Sequence, residues 1–132
     1  MPATLRGQAQ HFPAEHGSLY VFDQADVPFT ISRFFYIVAP KGARRGDHAH
    51  RKCHQYLIAV TGAIRILIDS PDGTTFEILL RPGHCVHVPP MHWALEFFEE
   101  EHSALLVLCD LPFDESDYIR VRVDFDEELR NN

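Results

Sequence analysis

Clusters of Gly, Pro and Asp break this chain into short apolar runs at intervals of roughly 8–12 residues, and that punctuation constrains the fold most. The breaks include "PKGARRG", "TG", "SPDG", "RPG", "PPM" and "DLPFDESD". Between them the chain reads as strands near 18–23, 31–39, 54–60, 63–69, 74–80, 84–88, 93–98, 103–109 and 118–123. Ile64, Ile66 and Ile68 alternate with Arg65, Leu67 and Asp69, the period of a strand with one buried face. Only the tail, "DFDEELRNN", reads as helix, and it is short. No repeat or linker interrupts the pattern. The expectation is one all-β domain over residues 1–132, a sandwich or barrel closed by a short C-terminal helix.

Charge and cysteine usage narrow the partners. A net charge of −7 argues against nucleic acid or an anionic membrane surface. A small anionic ligand stays possible, because arginines can cluster locally in an acidic protein. Cys53, Cys85 and Cys109 are far apart, form no CxxC pair and lie in apolar stretches, as reduced thiols do. The opening "MPATLRGQAQHFPAEHG" has no apolar core of a leader, and no run reaches transmembrane length. A cytoplasmic location is expected.

The chemistry concentrates in "RRGDHAHRKCHQYLIAVTG", residues 44–62. His48 and His50 are two apart, so on a strand they share a face. Gly42, His48-x-His50, Gln55 and Gly62 resemble the first motif of the cupins, which are small β-barrels of the jelly-roll type. Metal-binding cupins carry Glu where this chain has Gln55, and a His in a second motif. Here that motif reads Pro89-Pro90-Met91-His92-Trp93-Ala94, with Ala94 at the ligand position. A neutral amide is a poor first-row metal ligand, and two imidazoles alone make a weak site. His84, His87 or His92 are the candidates to complete it.

Three readings of the histidine pair therefore stand: a rescued metal site, a polar surface, or a metal-free acid/base. Imidazole titrates near neutrality and can take and return a proton unaided. Abstracting a proton next to a carbonyl also needs a donor for the developing oxyanion. Tyr36, on the strand before, is a candidate for that role. Arg44 and Arg45 sit in a turn at the barrel mouth with Arg33 on the preceding strand, and guanidinium groups suit phosphate. Trp93 follows the second motif, where an open barrel would receive a ligand.

Three longer stretches, "FFYIVAPKGARRGDHAHRKCHQYLIAVTG", "VPPMHWALEF" and "ALLVLCDLPFDESDYIR", carry a closer resemblance. They are similar to the dTDP-sugar 3,4-ketoisomerases, the FdtA-like and WxcM-like cupins. That resemblance implies a metal-independent enzyme with no cofactor. It would convert dTDP-4-keto-6-deoxyglucose to a dTDP-3-keto-6-deoxyhexose through an enediol, for deoxyaminosugar synthesis. It implies His50 as the base, with His48 and Tyr36 beside it, and Arg45 on the diphosphate. Arg33, Gln55, Trp93 and His92 are the other substrate-binding candidates. It also implies a homodimer with exchanged N-terminal strands, which residues 17–23 would suit. The family often has other residues at Cys85-Val86-His87, Ala94 and Arg122, so the C4 stereochemistry of the product is left open.

Overall fold

The structure, a computed structural model, describes residues 6–131. The first residues of the stretch searched for a leader, 1–5, and Asn132 at the end of the expected helix lie outside the described residues. The elements are β1 (Arg6–Gln8), β2 (Gln10–Ala14), β3 (Gly17–Val21), β4 (Arg33–Ala39), β5 (Arg44–His50) and β6 (Gln55–Thr61). They continue with β7 (Ile64–Asp69), β8 (Thr75–Leu80), β9 (His84–Val88), β10 (Trp93–Phe98), β11 (Ser103–Cys109), β12 (Tyr118–Ile119) and α1 (Arg122–Arg130). One sheet runs β1-β9-β6-β11-β4 and the other β12-β5-β10-β7-β8, while β2 and β3 form a separate ribbon. Neighbouring strands are antiparallel, and the two sheets face each other as an all-β jelly roll of the expected cupin kind.

Apolar side chains of both sheets meet in the core: Leu57, Val86, Leu105 and Val107 from one, Ile64, Ile66, Ile68, Leu80 and Phe98 from the other. The outer face of the first sheet buries Tyr56, Ile58, Cys85 and Leu108 beneath Phe22, Val27, Phe29 and Ile31. The outer face of the second is covered by α1, whose Phe125 packs against Trp93, Leu95 and Ile119. Helix α1 starts at Arg122, where the sequence suggested that a strand continues. Its Arg122–Asp126 pair at 3.2 Å, one turn apart, and the buried ring of Phe125 both favour helix there.

Strand β5 is the larger departure. "RRGDHAH" lacks apolar alternation and carries turn residues, so its first half was expected as a turn. Tertiary pairing overrides that preference, because β10 on one side and β12 on the other supply the ladder. The register is interrupted: Ala94 faces His48 but Leu95 faces Gly46, leaving Asp47 without a partner. This is a β-bulge, with Gly46 at φ 78° and Asp47 at φ 62°. The Trp93 indole N–H donates to Asp47 Oδ1 at 3.0 Å and holds the bulge from outside the barrel.

The bulge supplies a direct test of the packing. A Cβ at Gly46 would come 2.8 Å from Glu96 Oε2 and 3.0 Å from the Ala94 carbonyl oxygen, on a backbone that already favours glycine. Gly46→Ala is expected to cost about 1–3 kcal/mol, read as a lower urea midpoint at unchanged slope.

Candidate active site

The bulge decides what faces the barrel interior. In an uninterrupted strand, Arg45 and His48 would point to opposite faces; the extra residue brings both, with His50, to the same one. Arg45 and His48 line a cavity of about 230 Å³ between the two sheets. Phe35, Ile37 and Val107 give it an apolar wall, with Gln55 beside them; Arg45, His48, Glu96, Tyr118 and Arg120 supply the polar side. Its lining therefore sets two guanidinium groups beside one apolar wall and several polar side chains, an arrangement suited to a polar ligand with an anionic end.

His50 lies behind His48, with ring centroids 5.0 Å apart and edge to face. Its Nδ1 is 3.0 Å from Asp117 Oδ2. Asp117 is itself fixed by the backbone N–H groups of Lys52 at 2.7 Å and Cys53 at 3.3 Å. An ionised carboxylate can only accept, so it selects the tautomer with the proton on Nδ1 and leaves Nε2 a free lone pair. Among the described residues His50 Nε2 indeed has no partner, and neither does His48 Nδ1. Burial lowers the pKa of both imidazoles, that of His48 to about 4 with His50 adding to the effect, while Asp117 opposes the shift of His50. Both rings are neutral at pH 7 and able to accept a proton.

Tyr118 is packed against both, at 4.3 Å from His50 and 5.0 Å from His48 between ring centroids. Arg120 lies over the Tyr118 ring at 4.1 Å and is held by Glu115 through two contacts of 2.8 and 2.9 Å. Arg33 donates to the Tyr118 hydroxyl at 3.5 Å and stacks on Phe35 and Phe113, so it reaches the site from behind the aromatic ring. Gln55 donates to Cys109 Sγ at 3.7 Å, which orients its amide.

Three of the expected residues are not brought together with this set. Tyr36 is on the outer face of β4, 70% exposed, because Arg33, Phe35 and Ile37 take the inward positions of that strand. The aromatic beside the imidazoles is Tyr118. Trp93 packs on Phe125 at 5.4 Å on the outside of the barrel, since Ala94, Glu96 and Phe98 are the inward residues of β10. It acts on the cavity only through Asp47. His92 is buried in the turn before β10, its Nδ1 against the Pro90 carbonyl at 2.9 Å, and is not part of the cavity wall. Arg44 also turns away: it pairs with Asp47 at 3.4 Å and lies over Phe97.

The sequence reading gave no role to Asp117, Tyr118, Arg120 or Glu96. Glu96 had a signal, a single acid within the apolar run "WALEFF". As to metals, Ala94 stands directly opposite His48, so no imidazole comes from that position. His50, Cys53 and Asp117 place donor atoms within 4.8 Å of one another, a grouping different from the cupin ligand pattern and already joined by the His50–Asp117 hydrogen bond.

Comparison with known proteins agrees with this geometry. A family model described as FdtA: WxcM-like, C-terminal, matches residues 7–130. The TDP-4-oxo-6-deoxy-alpha-D-glucose-3,4-oxoisomerase of Aneurinibacillus thermoaerophilus is 36% identical over 108 residues, 79% of this chain and 76% of that protein. A variant of the 3,4-ketoisomerase QdtA from Thermoanaerobacterium thermosaccharolyticum, in complex with TDP-4-keto-6-deoxyglucose, has a TM-score of 0.87 and 30% identity, over 97% of this chain and 94% of that one. A 3,4-ketoisomerase from Helicobacter canadensis has a TM-score of 0.85 and 26% identity, over 96% of each chain.

The tautomer can be observed directly. Long-range ¹⁵N–¹H spectra at pH 7 are expected to show His50 neutral with its proton on Nδ1. Asp117→Asn, whose amide can donate, should shift the ring toward the Nε2-protonated form. An unchanged His50 pattern in that variant would remove Asp117 as the orienting group.

Proposed function

The chain belongs to the FdtA, WxcM-like C-terminal family, and from that premise we propose that it is a sugar-nucleotide 3,4-ketoisomerase acting on TDP-4-keto-6-deoxyglucose. The observation that carries the reading is a neutral imidazole, His50, whose Nδ1 is fixed by Asp117 and whose Nε2 has no partner among the described residues, next to a cavity with arginines in its lining. The two relatives with the stated sugar in their names supply the substrate class.

In the forward direction His50 Nε2 takes the proton from C3, and the electron pair of the C–H bond forms the C3–C4 double bond of an enediolate as the C4 carbonyl becomes an oxyanion. The imidazolium is stabilised by Asp117. Once a proton has passed from O3 to O4, collapse of the enediolate in the other sense makes the carbonyl at C3 and returns the proton from His50 to C4. His48 forms the cavity wall in front of the base. Arg45 takes the diphosphate, with Arg120 beside it and Gln55 on the sugar. Each step is a proton transfer, which ionisable side chains can perform, so no metal or organic cofactor is assigned.

We further assign a homodimer. Strand β4 is the edge of its sheet, with Phe34, Tyr36 and Val38 all more than half exposed on its outer face. The β2–β3 ribbon carries exposed Phe12 and Leu19 and pairs with neither main sheet. An unprotected apolar edge of this kind invites a strand from another chain. Exchange of the N-terminal strands would cover both surfaces and bury Tyr36. The three free thiols, all buried, fit the reducing cytoplasm.

Turnover of TDP-4-keto-6-deoxyglucose, followed by NMR of the 3-keto product or its trapped aminosugar, tests the activity. His50→Asn should lower turnover by about 10²–10⁴-fold and abolish exchange of the C3 proton with deuterium oxide, while TDP still binds. Loss of both in His48→Asn with His50→Asn still active would exchange the two roles. Arg45→Ala should weaken TDP about 10–100-fold, the equivalent of one charge-assisted contact. Full activity after chelation is expected, and its restoration only by added metal would refute the metal-free scheme. Sedimentation is expected to give a dimer at micromolar concentration, and Tyr36→Glu should shift it to monomer.

A further inference from the structure

Glu96 has no counterpart in the chemistry described so far. It sits in β10 between Leu95 and Phe97, its side chain inward, only 5% exposed, and part of the cavity wall. Its neighbours across the ladder are Arg45 on β5 and Ile66 on β7. Oε1 makes no hydrogen bond among the described residues. Oε2 lies over Gly46, where a Cβ would approach to 2.8 Å, so the glycine of the bulge makes room for the carboxyl. A buried carboxyl without a full set of partners is costly and is retained where something else will complete it. Glu96 lines the cavity, so a ligand bound there can complete the unpartnered oxygen.

The reaction proposed above moves two protons, not one. The carbon proton goes from C3 to C4, and a hydroxyl proton must leave O3 and arrive on O4. An imidazole that has taken the C3 proton holds it until C4 receives it, so His50 cannot serve the oxygens in the same interval. His48 is a poor donor at neutral pH, because burial and its neighbour His50 keep it unprotonated. A carboxylic acid can serve both oxygens at once, since one oxygen donates while the other accepts.

Resting on that reading of the site, we propose that Glu96 is a catalytic residue that relays the hydroxyl proton between O3 and O4 of the sugar. In the forward direction the Glu96 O–H proton passes to O4 as the C4 carbonyl becomes the enol. The O3–H proton then passes to the other Glu96 oxygen as the C3 carbonyl forms. The carboxyl ends protonated on its second oxygen, and no charge is left on enzyme or sugar. For the relay Glu96 must enter the reaction protonated. Burial pushes its pKa up to about 7, against the opposing pull of Arg45, so a large share carries the proton at neutral pH. The vicinal pair of oxygens, one keto and one hydroxyl, is thus the feature of the substrate that this carboxyl recognises.

The test separates the two proton paths. Glu96→Gln keeps the shape and can still donate to O4, but cannot carry a proton from one oxygen to the other. Its turnover is expected to fall by about 10²–10⁴-fold, while exchange of the C3 proton with deuterium oxide continues and TDP affinity is kept. Thermal stability should be equal or higher, because a buried acid has become a neutral amide. Glu96→Asp, which keeps the acid on a shorter arm, should turn over faster than Glu96→Gln. Near wild-type turnover in Glu96→Gln overturns the relay. So does a parallel loss of turnover and exchange in a folded Glu96→Gln protein, which would mark a structural role. Absence of isomerisation in the unaltered protein would instead refute the ketoisomerase reading itself.

Discussion

Insertion of Asp47 into β5 is the constraint from which the site follows. It sets Arg45 and His48, three residues apart, on one face of a strand whose ordinary period would separate them. Two contacts fix it: the Trp93 indole on Asp47 and the empty space at Gly46 filled by the Glu96 carboxyl. Trp93 is pinned in turn by Phe125 of α1. A helix on the outside of the barrel thereby determines the position of side chains on the inside, through one indole and one bulge.

A second point of convergence is Asp117. One carboxylate accepts from His50 and from the backbone N–H groups of Lys52 and Cys53, which ties the residues after β5 to the turn before β12. With those donors the carboxylate is held in place by three contacts, so it can orient His50. Cys53 Sγ donates to the His54 carbonyl oxygen at 3.2 Å, and Cys53, Arg33 and Gln55 together pull the Cys109 thiol below its usual range. The floor of the site therefore links polar side chains through Asp117 and Cys109 while leaving His48 Nδ1, His50 Nε2 and Glu96 Oε1 without partners among the described residues.

Much of the fold was legible because several strands carry a clean period and clear breaks. Strands β9, β10 and β11 match their sequence bounds, and β7 alternates as its isoleucines suggest. Strand β5 lies outside every expected strand, since polar residues in "RRGDHAH" hide a strand that neighbouring strands impose. The face of β4 was ambiguous for a different reason: "RFFYIVA" is apolar on both sides, so period alone cannot say whether Phe35 or Tyr36 looks inward. Trp93 was expected at the cavity from its place after the second motif, but "WALEFF" is apolar on both faces, so period alone does not show that Ala94, Glu96 and Phe98 take the inward side. Asp117 lay within a recognisable segment, but its role depends on a contact with a residue 67 positions away.

That separation has a consequence for how the molecule comes into being. His50 and Asp117 meet only after a loop of 67 residues has closed, and the Gln55 side of the cavity belongs to the opposite sheet. Contacts this remote in sequence carry a large loop-closure entropy that must be met before they form. A partly condensed chain holds imidazoles but lacks the carboxylate that aligns His50 and the wall that excludes water. Reactivity toward a labile keto sugar is thus withheld from every immature form of the protein, and competence arrives together with the finished barrel.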